Sequence, residues 1–142
     1  MSGPYRHIGA STTDGVLVLT IEDEQIKDSL VAQELRYELV HAMNSRQSVL
    51  IVIDLRNVTF ITSLACVAFI AVKQSMKSND GRVALCNMSD FLKKLFNAKR
   101  LLTRSPNSGN VAFEAAGTLQ EAIDMLSSPR ESEVNSSPEP DA

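Results

Sequence analysis

Two adjacent hydroxyl residues, Thr62 and Ser63, follow the aliphatic run Val49-Leu50-Ile51-Val52-Ile53 across the segment Asp54-Leu55-Arg56-Asn57-Val58-Thr59-Phe60-Ile61. They precede a stretch of small and apolar residues, Leu64-Ala65-Cys66-Val67. That order carries two hydroxyls from a strand to the start of a helix. The first turn of a helix leaves its N–H groups unpaired and holds the positive end of the helix dipole, so a phosphate on either hydroxyl would be stabilised by its own helix. The same phosphate would add about −1.5 to −2 charges and repel, or desolvate badly against, a partner fitted to the neutral surface. A reversible charge switch is one reading of the junction, and spacing alone favours the plainer one. The plainer alternative is that one hydroxyl is only the N-cap of the helix.

Other chemistry is thin. The sequence has no GxSxG, no GxxxxGK phosphate loop, no HExxH and no glycine fingerprint for a dinucleotide. Its two histidines, His7 and His41, and its two cysteines, Cys66 and Cys86, show no metal-ligand spacing. Both cysteines sit in apolar runs, LACVAF and VALC, where a thiol behaves as a small hydrophobe, and we expect both to be buried and free. No catalytic residues, cofactor or metal are expected, and the reading is of a protein that is not an enzyme.

The elements that must position the junction follow from periodicity. Residues 15–21, GVLVLTI, come after a Thr-Asp-Gly turn signal and read as a strand, with Tyr5 to Ser11 as its hairpin partner. Apolar residues at three- and four-residue steps from Leu30 to Met43 predict an amphipathic helix over about 28–44. The run 49–53 is apolar throughout, which suits a strand covered on both faces of a sheet with parallel character. A helix over 63–76, a strand at 82–86 and a helix capped by Ser89 come next. A loop over 97–110, a strand at 111–115, and a capping box Thr118-Leu119-Gln120-Glu121 opening a last helix complete an α/β domain.

Composition narrows the class. With 142 residues, one domain of ordinary size fits and two do not. No run of eighteen apolar residues is present and the first ten residues lack a signal-peptide core, so a soluble, cytoplasmic protein with no membrane insertion is expected. Four of the 17 acids but only one of the 14 bases fall in residues 129–142, which leaves 13 of each sign before them. The negative balance belongs to a tail rich in proline and serine, with one aliphatic residue, Val134. That is too little apolar surface to offset the entropy of ordering it, and disorder is expected there. A neutral remainder lacks the broad positive field used for nucleic-acid binding, and no nucleic-acid partner is expected. Two local charge clusters, acidic residues from Glu22 to Glu38 and basic residues from Lys93 to Arg104, read as solvated helix faces. Ligand binding by the basic cluster is the weaker option, since no glycine-rich phosphate loop accompanies it.

At the junction the sequence resembles a known family. VIDLRNVTFITSLACVAFI is similar to V-x-D-L-S-x-V-x-F-I-D-S-S-G-L-G-x-L of STAS domains, the family of bacterial anti-sigma factor antagonists. Asp54, Leu55, Val58, Phe60 and Ile61 match the approach, and Ser63 falls on the phosphoacceptor. Thr62 stands where the family has aspartate, Leu64 for the second serine, Ala65 and Val67 for the two glycines, and Cys66 for leucine. The family's G-x-L-D before the first helix is replaced by Ile21-Glu22-Asp23-Glu24.

The resemblance implies a small mixed β-sheet with about four helices packed mainly on one face, over residues 5–127, after a short lead of residues 1–4 and before the tail 128–142. It also implies a regulatory module in transcription control by partner switching. Its partner would be an anti-sigma factor that doubles as a serine kinase, with Ser63 the first candidate for phosphorylation and Thr62 the second. The expected partner-binding residues are Asp54, Asn57, Thr59, Thr62, Ser63, Leu64 and Val67. The alternative is a structural subunit, as homodimer or part of a larger assembly such as a stressosome-like scaffold or a lipid-transport complex, in which the same surface is a permanent contact.

Overall fold

The structure is a computed structural model that describes residues 5–46, 50–79, 81–98 and 113–127. The expected lead 1–4, most of the loop over 97–110 and the acidic tail lie outside these residues.

A hairpin opens the chain: β1 (Ile8–Thr13) runs antiparallel to β2 (Val16–Ile21) in the register Ile8↔Ile21 to Thr13↔Val16. The two-residue turn puts Asp14 at φ 52° and Gly15 at φ 79°. Glycine reaches that region without penalty and aspartate at modest cost, which is why Asp-Gly closes a tight hairpin. A two-residue strand β3 (Gln25–Ile26) precedes helix α1 (Ser29–Arg46), whose first turn is capped by Asp28 accepting the Val31 N–H at 2.8 Å.

The central strand β4 (Leu50–Asp54) pairs in parallel with β2 on one side and with β6 (Arg82–Cys86) on the other. Between them come β5 (Phe60–Ile61), a single 3-10 turn Leu64–Cys66 and helix α2 (Val67–Asn79). Helix α3 (Asp90–Ala98) opens on the expected Ser89 cap, whose Oγ accepts the Leu92 N–H at 3.2 Å. The edge strand β7 (Glu114–Ala116) and helix α4 (Leu119–Ser127) close the fold. The main sheet has the order β1-β2-β4-β6-β7, and β3 and β5 form a separate parallel pair.

Strand alternation assigns the faces. Leu17, Leu19, Ile51, Ile53, Val83 and Leu85 point to one side, where α1, α2 and α3 pack through residues such as Leu35, Leu39, Phe69 and Phe96. Val16, Val18, Val52, Ala84 and Cys86 point to the other and, among the described helices, meet α4, through Ala122, Ile123 and Leu126. Three of four helices therefore share a face, as expected of a mixed sheet of this kind. Phe69 is the hub of the larger core, fully buried with ring centroids 5.1 Å from Phe96 and 6.4 Å from Phe113.

Two details depart from the sequence reading. The last strand runs one residue past its expected end, to Ala116, and residues 111 and 112 of its expected start lie outside the described residues; Arg82 Nε and Nη2 donate to the Glu114 carboxylate at 2.9 and 2.7 Å beside the register Ala84↔Glu114. The capping box is only half formed. Thr118 Oγ1 accepts the Glu121 N–H at 3.1 Å, but the Glu121 carboxylate reaches back to the Gly117 N–H at 3.0 Å instead of that of Thr118.

Candidate functional site

The approach to the junction is built around Asp54 at the end of β4. Its carboxylate is fully buried and accepts four hydrogen bonds: from Arg56 N at 3.0 Å, Arg56 Nε at 2.9 Å, Arg56 Nη2 at 2.6 Å and Asn87 Nδ2 at 2.9 Å. Asn87 makes its bond from φ 58°, a left-handed conformation that asparagine tolerates better than most residues. Burial pushes the Asp54 carboxyl up, yet the donors from Arg56 and Asn87 outweigh it and hold the group below the ordinary carboxylate range. The same burial, with the Asp54 charge beside it, pushes the neighbouring Cys86 thiol up to about 12. Cys66 and Cys86 are both buried and neither is in a disulfide, as expected.

Asp54 therefore departs from its expected place on a partner surface. A side chain with no exposed area touches no partner, and its part is to aim Arg56, whose own side chain is half exposed. The turn that follows is pinned from below by Leu55 and Val58, both buried, with the Val58 N–H on the Leu55 carbonyl at 3.0 Å. Asn57 is exposed, and its Nδ2 donates to the Ile21 carbonyl at 3.3 Å. Thr59 is exposed as well; its N–H and Oγ1 both donate to the Glu24 carbonyl, at 2.8 and 3.2 Å.

The two hydroxyls play different parts. Thr62 Oγ1 accepts the Ala65 N–H at 3.1 Å, and its N–H donates to the Ile26 carbonyl at 3.1 Å. It is the N-cap. Ser63 is exposed, and its hydroxyl has no hydrogen-bond partner among the described residues. Leu64 and Val67 fall in the 3-10 turn and the first position of α2, with side chains outside those described. Apolar surface flanks the junction. Phe60 and Phe91 stack with centroids 5.3 Å apart while each stays more than a third exposed, and Ile70 on α2 is exposed to a similar degree.

Sequence reasoning missed Arg56, Phe91 and a second polar cluster. Asp23, Glu34 and Glu38 do not form a solvated face: they converge on His7, and Glu38 is buried. The signal available was the i, i+4 spacing of Glu34 and Glu38, which places both on one face of α1. Lys93 and Lys94 in the basic cluster are exposed as expected; Lys99, Arg100 and Arg104 lie outside the described residues. Among the described residues no group of three or more His, Cys, Asp or Glu side chains could hold a metal ion, and no helix is long and apolar enough to cross a membrane.

A strand ending in a buried aspartate, a short turn and a hydroxyl pair opening a helix is the arrangement to compare with known proteins. The STAS domain family profile matches residues 7–112. The chain belongs to the STAS family. Solved STAS-like structures share its fold at low identity. An anti-sigma factor antagonist from Mycobacterium paratuberculosis superimposes with TM-score 0.67 and 19% identity, over 90% of this chain and all of that one. The anti-sigma factor antagonist SpoIIAA in its unphosphorylated form gives TM-score 0.61 and 15% identity over 86% and 99%. A chain from the molecular architecture of the stressosome gives 0.59 and 16% over 83% and 95%. Sequence comparison with curated proteins returns no match.

Proposed function

We propose that this STAS domain is a regulatory binding module whose protein partner, of the anti-sigma factor and serine kinase kind, docks on the Thr62/Ser63 junction, and that phosphorylation of Ser63 controls that docking. The single observation that carries the reading is the division between the two hydroxyls. Thr62 is committed to capping the helix, while Ser63 stands exposed on the same turn, its hydroxyl without a hydrogen-bond partner among the described residues, at the positive end of the helix dipole that favours an anion. Phosphorylation of Thr62 would cost the cap; phosphorylation of Ser63 would cost none of the bonds described. Two of the solved neighbours are SpoIIAA in its unphosphorylated and phosphorylated forms, which lends the switch a precedent in this fold.

The docking surface combines exposed polar groups at Asn57, Thr59 and Ser63 with the apolar Phe60/Phe91 pair and Ile70. Arg56 lies on the same turn, held by Asp54. The test is site mapping by mass spectrometry of the protein isolated from its native cells, with and without phosphatase. Phosphate on Ser63 supports the reading; phosphate confined to other residues, or absent across growth and stress conditions, counts against it.

The stressosome neighbour and the exposed aromatic pair favour a second reading, in which the same surface is a permanent contact in a homodimer or larger assembly. Sedimentation of the full chain separates the two: a stable oligomer that Phe60→Ala or Phe91→Ala dissociates supports the subunit reading, and a monomer supports the switch.

A further inference from the structure

His7 lies outside the Thr62/Ser63 junction, yet a short chain of bonds connects them. The residue precedes β1 and is 6% exposed. Both of its ring nitrogens face carboxylates: Nδ1 is 2.9 Å from Asp23 Oδ2, and Nε2 is 2.8 Å from Glu34 Oε1. A neutral imidazole has one N–H, so in either tautomer its other nitrogen would set a lone pair against a carboxylate oxygen. Only the imidazolium donates to both.

A third carboxylate closes the cluster. Glu38 accepts the His7 N–H at 2.8 Å and the Arg6 N–H at 2.9 Å. The groups facing His7 are thus Asp23 from the loop after β2, Glu34 and Glu38 from α1, and Arg6 from its own segment, with Nη1 3.8 Å from Glu34. Burial lowers the tendency of the ring to hold its proton, but the bonds to Glu34 and Asp23 outweigh that effect, so the net shift is upward from 6.5.

The loop that His7 holds continues to the junction. The Glu22 N–H donates to the His7 carbonyl at 2.8 Å, and Asp23 is bound by the ring. The Glu24 carbonyl then accepts the Thr59 N–H, the Thr59 hydroxyl and the Phe60 N–H, at 2.8, 3.2 and 3.4 Å. The Ile26 carbonyl accepts the Thr62 N–H. The small β3/β5 pair that carries Thr62 and Ser63 hangs from a loop whose other side is clamped by His7.

We infer that His7 is a positioning residue for Ser63: the protonated ring holds the 22–24 loop, the loop holds β5, and loss of the ring proton loosens the presentation of the junction. After deprotonation a single N–H remains, the surviving bond loses the positive charge on its donor, and the three carboxylates lose the imidazolium that stood between them, with Arg6 still 3.8 Å from Glu34. The functional weight of the device rests on the junction being the docking surface proposed above.

The test uses the full chain, labelled for NMR and titrated from about pH 5.5 to about pH 9. The ring signals of His7 give its midpoint, and amide protection factors, corrected for intrinsic exchange, give local opening. We expect a midpoint above 6.5. Protection at Thr59, Phe60 and Thr62 should fall about fivefold or more through that midpoint, while Ile51 and Ile53 in β4 keep theirs. Asp23→Asn, which keeps the size of the side chain but not its charge, should lower the midpoint and flatten the pH response at the junction. Junction amides indifferent to the His7 midpoint would overturn the inference, and so would a parallel loss in β4, since His7 would then support only the global fold. None of these signals depends on Ser63 being phosphorylated, so a failure here and a failure of the switch are separate results.

Discussion

The Thr62 hydroxyl accepts the N–H of Ala65 at 3.1 Å, three residues ahead in the same turn. This bond leaves Ser63 as the hydroxyl free to change its chemistry. It also yields a direct contrast in stability. Thr62→Ala should lower the unfolding free energy by about 1 kcal/mol, the usual cost of a lost cap, and Thr62→Ser should restore most of it. Ser63→Ala should stay within about 0.5 kcal/mol of wild type, as expected for an exposed residue whose hydroxyl has no hydrogen-bond partner among the described residues. Urea denaturation monitored by circular dichroism reads all three.

The Asp54 carboxylate predicts an acid limb in the stability curve. Because its folded pKa is lowered, its contribution is present above the unfolded value near 3.8 and is lost as pH falls through the folded value. Asp54→Asn should flatten that limb. Arg56→Ala, which leaves a buried carboxylate with Asn87 as its remaining side-chain donor, should lower stability at neutral pH. His7 acts in the opposite sense: its raised pKa gives stability that is complete below 6.5 and is lost as pH rises through the folded value. Unfolding midpoints across pH, in wild type and in Asp54→Asn and His7→Gln, separate the two limbs.

Thiol chemistry should be silent in the native protein. Cys86 is buried in the smaller core with its pKa pushed up to about 12, and Cys66 is buried in the larger core on the opposite face of the sheet. Neither should react with Ellman's reagent at neutral pH, and both should react in denaturant. Fast native labelling of Cys86 would contradict the geometry described for the end of β6.

The phenylalanines should divide by position. Phe69→Ala removes the hub of the larger core and should cost about 3–5 kcal/mol. Phe60→Ala and Phe91→Ala empty no core and should cost far less stability, while weakening association with a partner that docks at Ser63. Calorimetric unfolding and a binding isotherm measured on the same variants check the pair of statements.

Periodicity in the sequence carried most of this fold. The strands at 16–21, 50–54 and 82–86 are legible because buried parallel strands require aliphatic runs, and the Asp-Gly turn and the Ser89 cap are legible because their geometry restricts residue type. The edge strand ends one residue later than its local pattern suggests, and its pairing goes with an ion pair between residues 32 apart, Arg82 and Glu114, a distance no local pattern encodes. The junction was legible as a pair of hydroxyls, but which one caps the helix depends on how Ile26 holds the Thr62 backbone. The His7 cluster was hidden for the same reason: its carboxylates come from a loop and a helix that meet only after the hairpin, the loop and α1 have packed.

The central claim is that Ser63 controls the docking of a protein partner. It is tested most directly by pull-down from native cell extract with wild type, Ser63→Ala and Ser63→Asp as baits, each captured protein being quantified across the three. The account predicts one partner held by wild type and Ser63→Ala and reduced about tenfold or more by Ser63→Asp, where a fixed negative charge stands in for the phosphate. Equal capture of every partner by all three baits would contradict it.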